Sequence, residues 1–125
     1  MNVLDSSLAE TQPQAAALPY FPYNISFVDC DSSEALRGLV EDQLTRLSHF
    51  YDRITDAKVF VRIPHKHSGA RLFHIHVQLD VPGKRLVASR EPAVDERHLD
   101  VRIAVRDAFQ KLTRQLEDFV KSRNE

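Results

Sequence analysis

The sequence predicts an α+β fold in the order β-α-β-β-β-α, a four-stranded sheet with two helices packed on one face. Three observations predict it. Apolar and polar residues alternate along residues 57–63 and again along 71–81, the period of strands with one buried face. Apolar residues recur at steps of three and four along 36–51 and 101–119, the period of helices with one buried stripe. Between the second alternating run and residues 84–90 lies Pro82-Gly83, a tight turn that makes the two runs a hairpin.

Length and composition agree with one domain. The chain has 125 residues, 42% of them hydrophobic and 28% charged, enough apolar material for a real core in a soluble protein. Its single cysteine, Cys30, excludes an intramolecular disulfide and a cysteine-based metal site, and makes a reducing, cytoplasmic setting the expectation. No apolar run approaches the ~18 residues of a membrane span, and the N-terminus lacks the basic-then-apolar order of a signal peptide.

Residues 1–23 are rich in Ala, Gln, Ser and Pro without periodicity, and Pro13, Pro19 and Pro22 interrupt any regular element. They are expected to form a flexible extension, with Tyr20, Phe21 and Tyr23 available for docking, and 24–125 to form the single domain. Residues 25–28 read as a short strand. Asp31-Ser32-Ser33-Glu34 is a helix start, because a short polar side chain takes an orphan amide and acids suit the positive end of the dipole. Leu36, Leu39, Val40, Leu44, Leu47, Phe50 and Tyr51 then keep helical spacing. Gly38 interrupts this helix at a cost of up to ~1 kcal/mol relative to Ala unless close packing requires it.

In the first alternating run Ala57, Val59, Val61 and Ile63 point one way, and Lys58, Phe60 and Arg62 the other. In the second, Phe73, Ile75, Val77, Leu79 and Val81 face in, while Leu72, His74, His76, Gln78 and Asp80 face out. Residues 64–70 and 91–99 read as loops. The last helix, 100–121, carries its apolar stripe on Val101, Ala104, Val105, Ala108, Phe109, Leu112, Leu116 and Phe119. Beside that stripe run Arg102, Arg106, Gln110, Arg114 and Lys121, with Lys111 at the far edge of the arc.

Net charge is −1, yet its distribution is uneven. Residues 57–90 carry Lys58, Arg62, Lys66, Arg71, Lys84, Arg85 and Arg90 against Asp80 alone. A basic exposed sheet beside a helix flanked by cations can meet a phosphate backbone without any pocket or catalytic group.

Catalytic and metal patterns are weaker. There is no Gly-rich phosphate loop, nucleophile elbow or zincin motif, and Asp29, Cys30 and Asp31 are more economically read as helix-start residues than as a catalytic cluster. His74 and His76 can face one ion and His65 and His67 share a loop, but apart from Asp80 no carboxylate or cysteine lies close enough in sequence to complete a set. The expectation is no enzyme, no metal and no cofactor, with the histidines meeting RNA or solvent.

Several segments carry a family resemblance. They are Glu34-Ala35-Leu36-Arg37 with Val40, then Leu44, Leu47 and Asp52-Arg53-Ile54, Ala88-Ser89 in the hairpin, and Asp100, Lys111-Leu112 and Arg114-Gln115-Leu116 in the last helix. In this order and spacing, from about residue 25 to about 121, the chain resembles the bacterial hibernation-promoting factors and ribosome-associated inhibitor proteins. That family is also called sigma-54 modulation or ribosomal subunit interface proteins. Pro64-His65-Lys66-His67, Val81-Pro82-Gly83-Lys84, Arg90-Glu91-Pro92 and Arg106-Asp107-Ala108-Phe109 resemble one branch of it. The sequence ends at Glu125 without the cold-shock domain of some members of that branch or the second, dimerising domain of long members, so a short form is expected.

The resemblance implies a non-enzymatic translation regulator that sits in the messenger- and transfer-RNA groove of the small ribosomal subunit, contacts rRNA and silences idle ribosomes under stress. Lys111 and Arg114 match basic positions of the family's last helix and carry over as RNA contacts, whereas many relatives have an uncharged or acidic residue at the positions of Arg102 and Arg106. Charge and resemblance together nominate Lys58, Arg62, His74, His76, Lys84, Arg85, Arg90, Arg102, Arg106, Lys111 and Arg114 as RNA-binding residues. The alternative is a protein-interaction module on the same fold, regulating a non-ribosomal partner. No membrane and no small-molecule substrate is expected, and oligomeric state is not legible.

Overall fold

The computed structural model describes residues 19–62, 73–90 and 100–123. The loops expected at 64–70 and 91–99, the first eighteen residues, and Ile63, Arg71 and Leu72 of the alternating runs lie outside the described residues. The elements are β1 (Tyr23–Val28), α1 (Glu34–Phe50), β2 (Asp56–Arg62), β3 (His74–Val81), β4 (Lys84–Arg90) and α2 (Val101–Arg123). They form one sheet in the order β1-β2-β3-β4. β2, β3 and β4 pair antiparallel, as the hairpin pattern predicts. β1 pairs parallel with β2, which makes the sheet mixed. A parallel neighbour requires a crossover, and α1 supplies it.

Ser33 caps α1: its backbone is extended, and its Oγ accepts from the Leu36 amide at 3.2 Å. The helix ends where Tyr51 turns extended, its amide donating to the Leu47 carbonyl at 3.0 Å. The chain before β1 seals this end. Tyr20 Oη donates to the Tyr51 carbonyl at 2.9 Å and accepts from the Ile54 amide at 2.6 Å. Burial pushes the Tyr20 phenol above its usual range, so it stays a donor. Phe21 is only 3% exposed and meets the Tyr20 ring edge-on. Tyr20 and Phe21, which composition assigns to the extension, are therefore part of the fold. Phe21 supplies burial and the Tyr20 hydroxyl supplies hydrogen bonds, neither of which the surrounding prolines forbid.

The core lies between the sheet's inner face and the helices. β3 alternates without a break: Ile75, Val77, Leu79 and Val81 are buried, their neighbours half-exposed. Val59 and Val61 of β2 and Leu86 and Ala88 of β4 complete the inner face. Against it pack Leu36, Val40, Leu44 and Leu47 of α1, and Ala104, Val105, Ala108, Phe109, Leu112, Leu116 and Phe119 of α2. Full burial of each large side chain contributes about 1.5–3 kcal/mol. Phe50 departs from the expected stripe and is 48% exposed, since it is the last helical residue and sits at the stripe's margin.

Two backbone positions enable the turns. Gly83 has φ +80° after Pro82, the combination of a type II turn, where a Cβ would be strained. Asp29 leaves β1 with φ 59°, a left-handed conformation that Asp tolerates better than most residues.

Gly38 has no such reason to be glycine. Its φ is ordinary, and a Cβ built there meets nothing within 4 Å. Gly38→Ala is therefore expected to stabilise the fold by roughly 0.5–1 kcal/mol. Thermal unfolding checks this as a melting temperature raised by a few degrees.

Candidate nucleic-acid interface

The register fixes which side chains share the solvent face of the sheet. Lys58 lies opposite Gln78, Phe60 opposite His76 and Arg62 opposite His74, and on β4 Arg85, Val87 and Ser89 face Asp80, Gln78 and His76. Lys58, Arg62, His74 and His76 thus come together as the alternation predicts, and the β4 register adds Arg85 to them. Their charges do not add up to a strongly basic face. Arg62 Nε meets Asp29 Oδ2 at 2.8 Å, and Arg85 Nε meets Asp80 Oδ1 at 2.8 Å. Hydrogen bonding to Asp80 raises the Arg85 guanidinium further above its ordinary value. Asp56 stands opposite Asp80 and adds a carboxylate to the same face. Of the cations on that face, Lys58 alone has no carboxylate partner among the described residues.

Two further β4 cations leave this face. Lys84 sits at the hairpin tip, exposed and opposite Val81. Arg90 lies opposite Ile75, on the core-facing side, 12% exposed, and its Nε meets Asp107 Oδ2 of α2 at 3.1 Å. It ties the end of β4 to the helix. Lys66 and Arg71, which add to the basic segment, lie outside the described residues, as do His65 and His67.

The cations of α2 also divide. Arg102 is bound to Asp100, whose carboxylate accepts from both its guanidinium (2.8 Å) and its amide (2.9 Å). The Arg102 guanidinium first, and its amide second, hold the Asp100 carboxyl down at about 2. Lys111 Nζ donates to the Ser89 carbonyl at 3.2 Å and Gln115 Nε2 to the Val87 carbonyl at 2.7 Å. These two side chains cover the outer edge of β4, a position otherwise open to pairing with another strand. Lys111 also stands one step from the sheet's solvent face, because Ser89 Oγ contacts His76 Nδ1 at 2.9 Å.

Arg106 and Arg114 face elsewhere. They line a groove of about 830 Å³ between the two helices, opposite Asp42, Arg46 and Phe50 of α1. None of Arg46, Arg106 and Arg114 has a carboxylate partner among the described residues. These are guanidiniums free to take a phosphate in a bidentate grip. Sequence reasoning missed Arg46, although Asp42, Arg46 and Phe50 recur every four residues and so form one strip of α1. Among the described residues no group of three or more His, Cys, Asp or Glu gathers in a metal-holding arrangement, and no helix is long and apolar enough to cross a membrane.

The small α+β domain thus presents a wet sheet face and, between its helices, a groove lined by Arg46, Arg106 and Arg114 together with Asp42, Asp107 and Glu117. The comparisons then give its family. Residues 23–124 match the family model described as sigma 54 modulation protein / S30EA ribosomal protein, and the chain belongs to that family. It is similar to a ribosome hibernation promotion factor of Deinococcus radiodurans, 34% identical over 97 residues, which cover 78% of this chain and 48% of that protein. The chain thus spans about half the length of that relative. A ribosome hibernation promoting factor of Azotobacter vinelandii is 33% identical over 93 residues, 74% of this chain and 77% of that protein.

Two solved structures share the fold. A ribosomal subunit interface protein from Coxiella burnetii has a TM-score of 0.63 at 21% identity, covering 80% of this chain and 98% of that one. The N-terminal domain of Thermus thermophilus Protein Y has a TM-score of 0.62 at 24% identity, covering 82% and 98%.

The depressed Asp100 pKa carries a pH expectation. A carboxyl lowered on folding contributes stability that is full above its unfolded value and is lost as pH falls through its folded value, so the start of α2 should loosen progressively as pH falls below the ordinary carboxylate range toward about 2. Carboxyl-carbon NMR should show Asp100 titrating near that value, and Arg102→Ala should return it toward the ordinary range.

Proposed function

We propose that this chain binds the small ribosomal subunit through rRNA, in the groove used by messenger and transfer RNA, and silences idle ribosomes under stress. It acts by occupation rather than by chemistry, as a member of a non-enzymatic family. The observation that carries this reading is the set Arg46, Arg106 and Arg114, three guanidiniums on facing helices with no carboxylate partner among the described residues. The relatives' names, ribosome hibernation promotion factor and ribosome hibernation promoting factor, point to the same partner. Lys111 adds a fourth cation, held only by a neutral carbonyl. Arg62, Arg85, Arg90 and Arg102 contribute less, because each must exchange an existing carboxylate for a phosphate.

A second reading keeps the groove and changes the partner. Phe50 and Ile103 are 48% and 43% exposed on its two walls, apolar surface that a protein could also cover. A pulldown after nuclease treatment that recovers one protein without ribosomal components would favour it.

Sucrose-gradient sedimentation of lysate tests the first reading. The protein is expected to migrate with ribosomes at low salt and to be released at high salt. Arg106→Glu with Arg114→Glu, and separately Arg46→Glu and Lys111→Glu, should weaken the association, each lost phosphate contact lowering the salt slope by about 1. Variants that sediment like the parent at every salt concentration would overturn this interface.

A further inference from the structure

The solvent face of the sheet has lost most of its claim to be a phosphate-binding surface, yet it is not featureless. We propose that it is a stacking platform for an unpaired RNA base, built on Phe60 and His76. The proposal rests on the RNA-binding reading above and assigns this face a different task from the arginine groove.

Phe60 and His76 are direct partners on β2 and β3, the two central strands. Their ring centroids are 5.9 Å apart with planes tilted by 50°. His76 does not swing freely, because its Nδ1 contacts Ser89 Oγ at 2.9 Å. Both helices lie against the opposite face, so no described element covers the pair. A partly exposed Phe in the middle of a polar face offers a π surface to whatever docks there. Any base can stack on such a face, but only when it is unpaired and unstacked.

The surroundings favour a base over a protein side chain. Two residues along β2 and β3 stand Lys58 and Gln78, opposite each other. Gln78 offers an amide to a base edge, and Lys58 is a cation of this face without a carboxylate partner among the described residues. The apolar surface nearby is small, Val28 opposite Arg62 on one edge strand and Val87 opposite Gln78 on the other. One phenylalanine and two valines on opposite edge strands suffice for a nucleobase, but make a poor centre for a protein interface, where clustered aromatic anchors carry the energy. The carboxylates Asp29, Asp56 and Asp80 balance the neighbouring cations. Binding here therefore depends on stacking and base edges, and little on salt.

The test uses the full chain and a fluorescein-labelled mixed-sequence ten-nucleotide RNA, single-stranded or annealed to its complement, read by anisotropy. Phe60→Leu keeps an apolar residue in the strand but removes the π face; Phe60→Trp restores one. Circular dichroism verifies both folds. Phe60→Leu is expected to weaken single-strand binding roughly 5- to 100-fold, with Phe60→Trp close to the parent, an unchanged salt slope and no effect on duplex RNA. No single-strand binding by the parent, or equal binding by Phe60→Leu, would overturn the platform. So would a Phe60→Leu loss confined to ribosome sedimentation, which would place a protein surface on this face. The two readings fail separately. Arginine variants that lose ribosomes while Phe60→Leu changes nothing remove only the platform. Phe60-dependent RNA binding in a parent that never sediments with ribosomes removes only the ribosome.

Discussion

Burial of two helical stripes against one face of one sheet is the constraint on which the other features depend. Leu44 and Phe109 come from opposite ends of the domain's sequence, and both must reach the inner face made by Val59, Val61, Ile75, Val77 and Leu79. Once both helices occupy that face, the other face is left to solvent. Once they lie side by side, their outer strips form the walls of a groove. Each surface is a by-product of where the apolar residues go, and the polar residues on the remaining sides decide what it meets.

Ion pairing then sorts the cations. A guanidinium already held by a carboxylate has little to offer a phosphate, since binding must first break an existing charge-assisted hydrogen bond. By that criterion Arg62, Arg85, Arg90 and Arg102 serve largely within the fold, while Arg46, Arg106 and Arg114 have no carboxylate partner among the described residues. Arg90 shows the difference most clearly. It joins the last strand to α2 through Asp107 from the core-facing side. The exposed pairs of Arg62, Arg85 and Arg102 contribute little to stability on average, so their main effect here is on which charges solvent and polyanions encounter. Lys111 has a double position, blunting the β4 edge through Ser89 while keeping its charge.

Much of the architecture was legible because its signals are local. The alternation of β3 and the stripe of α2 are written in adjacent residues, and burial follows them residue by residue. The turn at Pro82-Gly83 and the cap near Ser33 have chemical signatures a few residues long. The parallel pairing of β1 was not legible, because six residues at a strand's length say nothing about the neighbour they choose. Tyr20 was not either: its role lies in bonds to Tyr51 and Ile54, more than thirty positions away.

The candidate site divides along the same line. By itself the sequence determined the fold class, the solvent-facing side of β2 and β3 and a family pattern, since periodicity and motif spacing are properties of neighbouring residues. Only the tertiary structure decided which cations are free. Arg62 and Asp29 are 33 positions apart and 2.8 Å apart, and Arg46 faces Arg106 and Arg114 across a groove that neither helix contains alone. Charge counted along a chain reports how many cations a segment holds; charge available to a partner depends on which carboxylates the fold brings beside them.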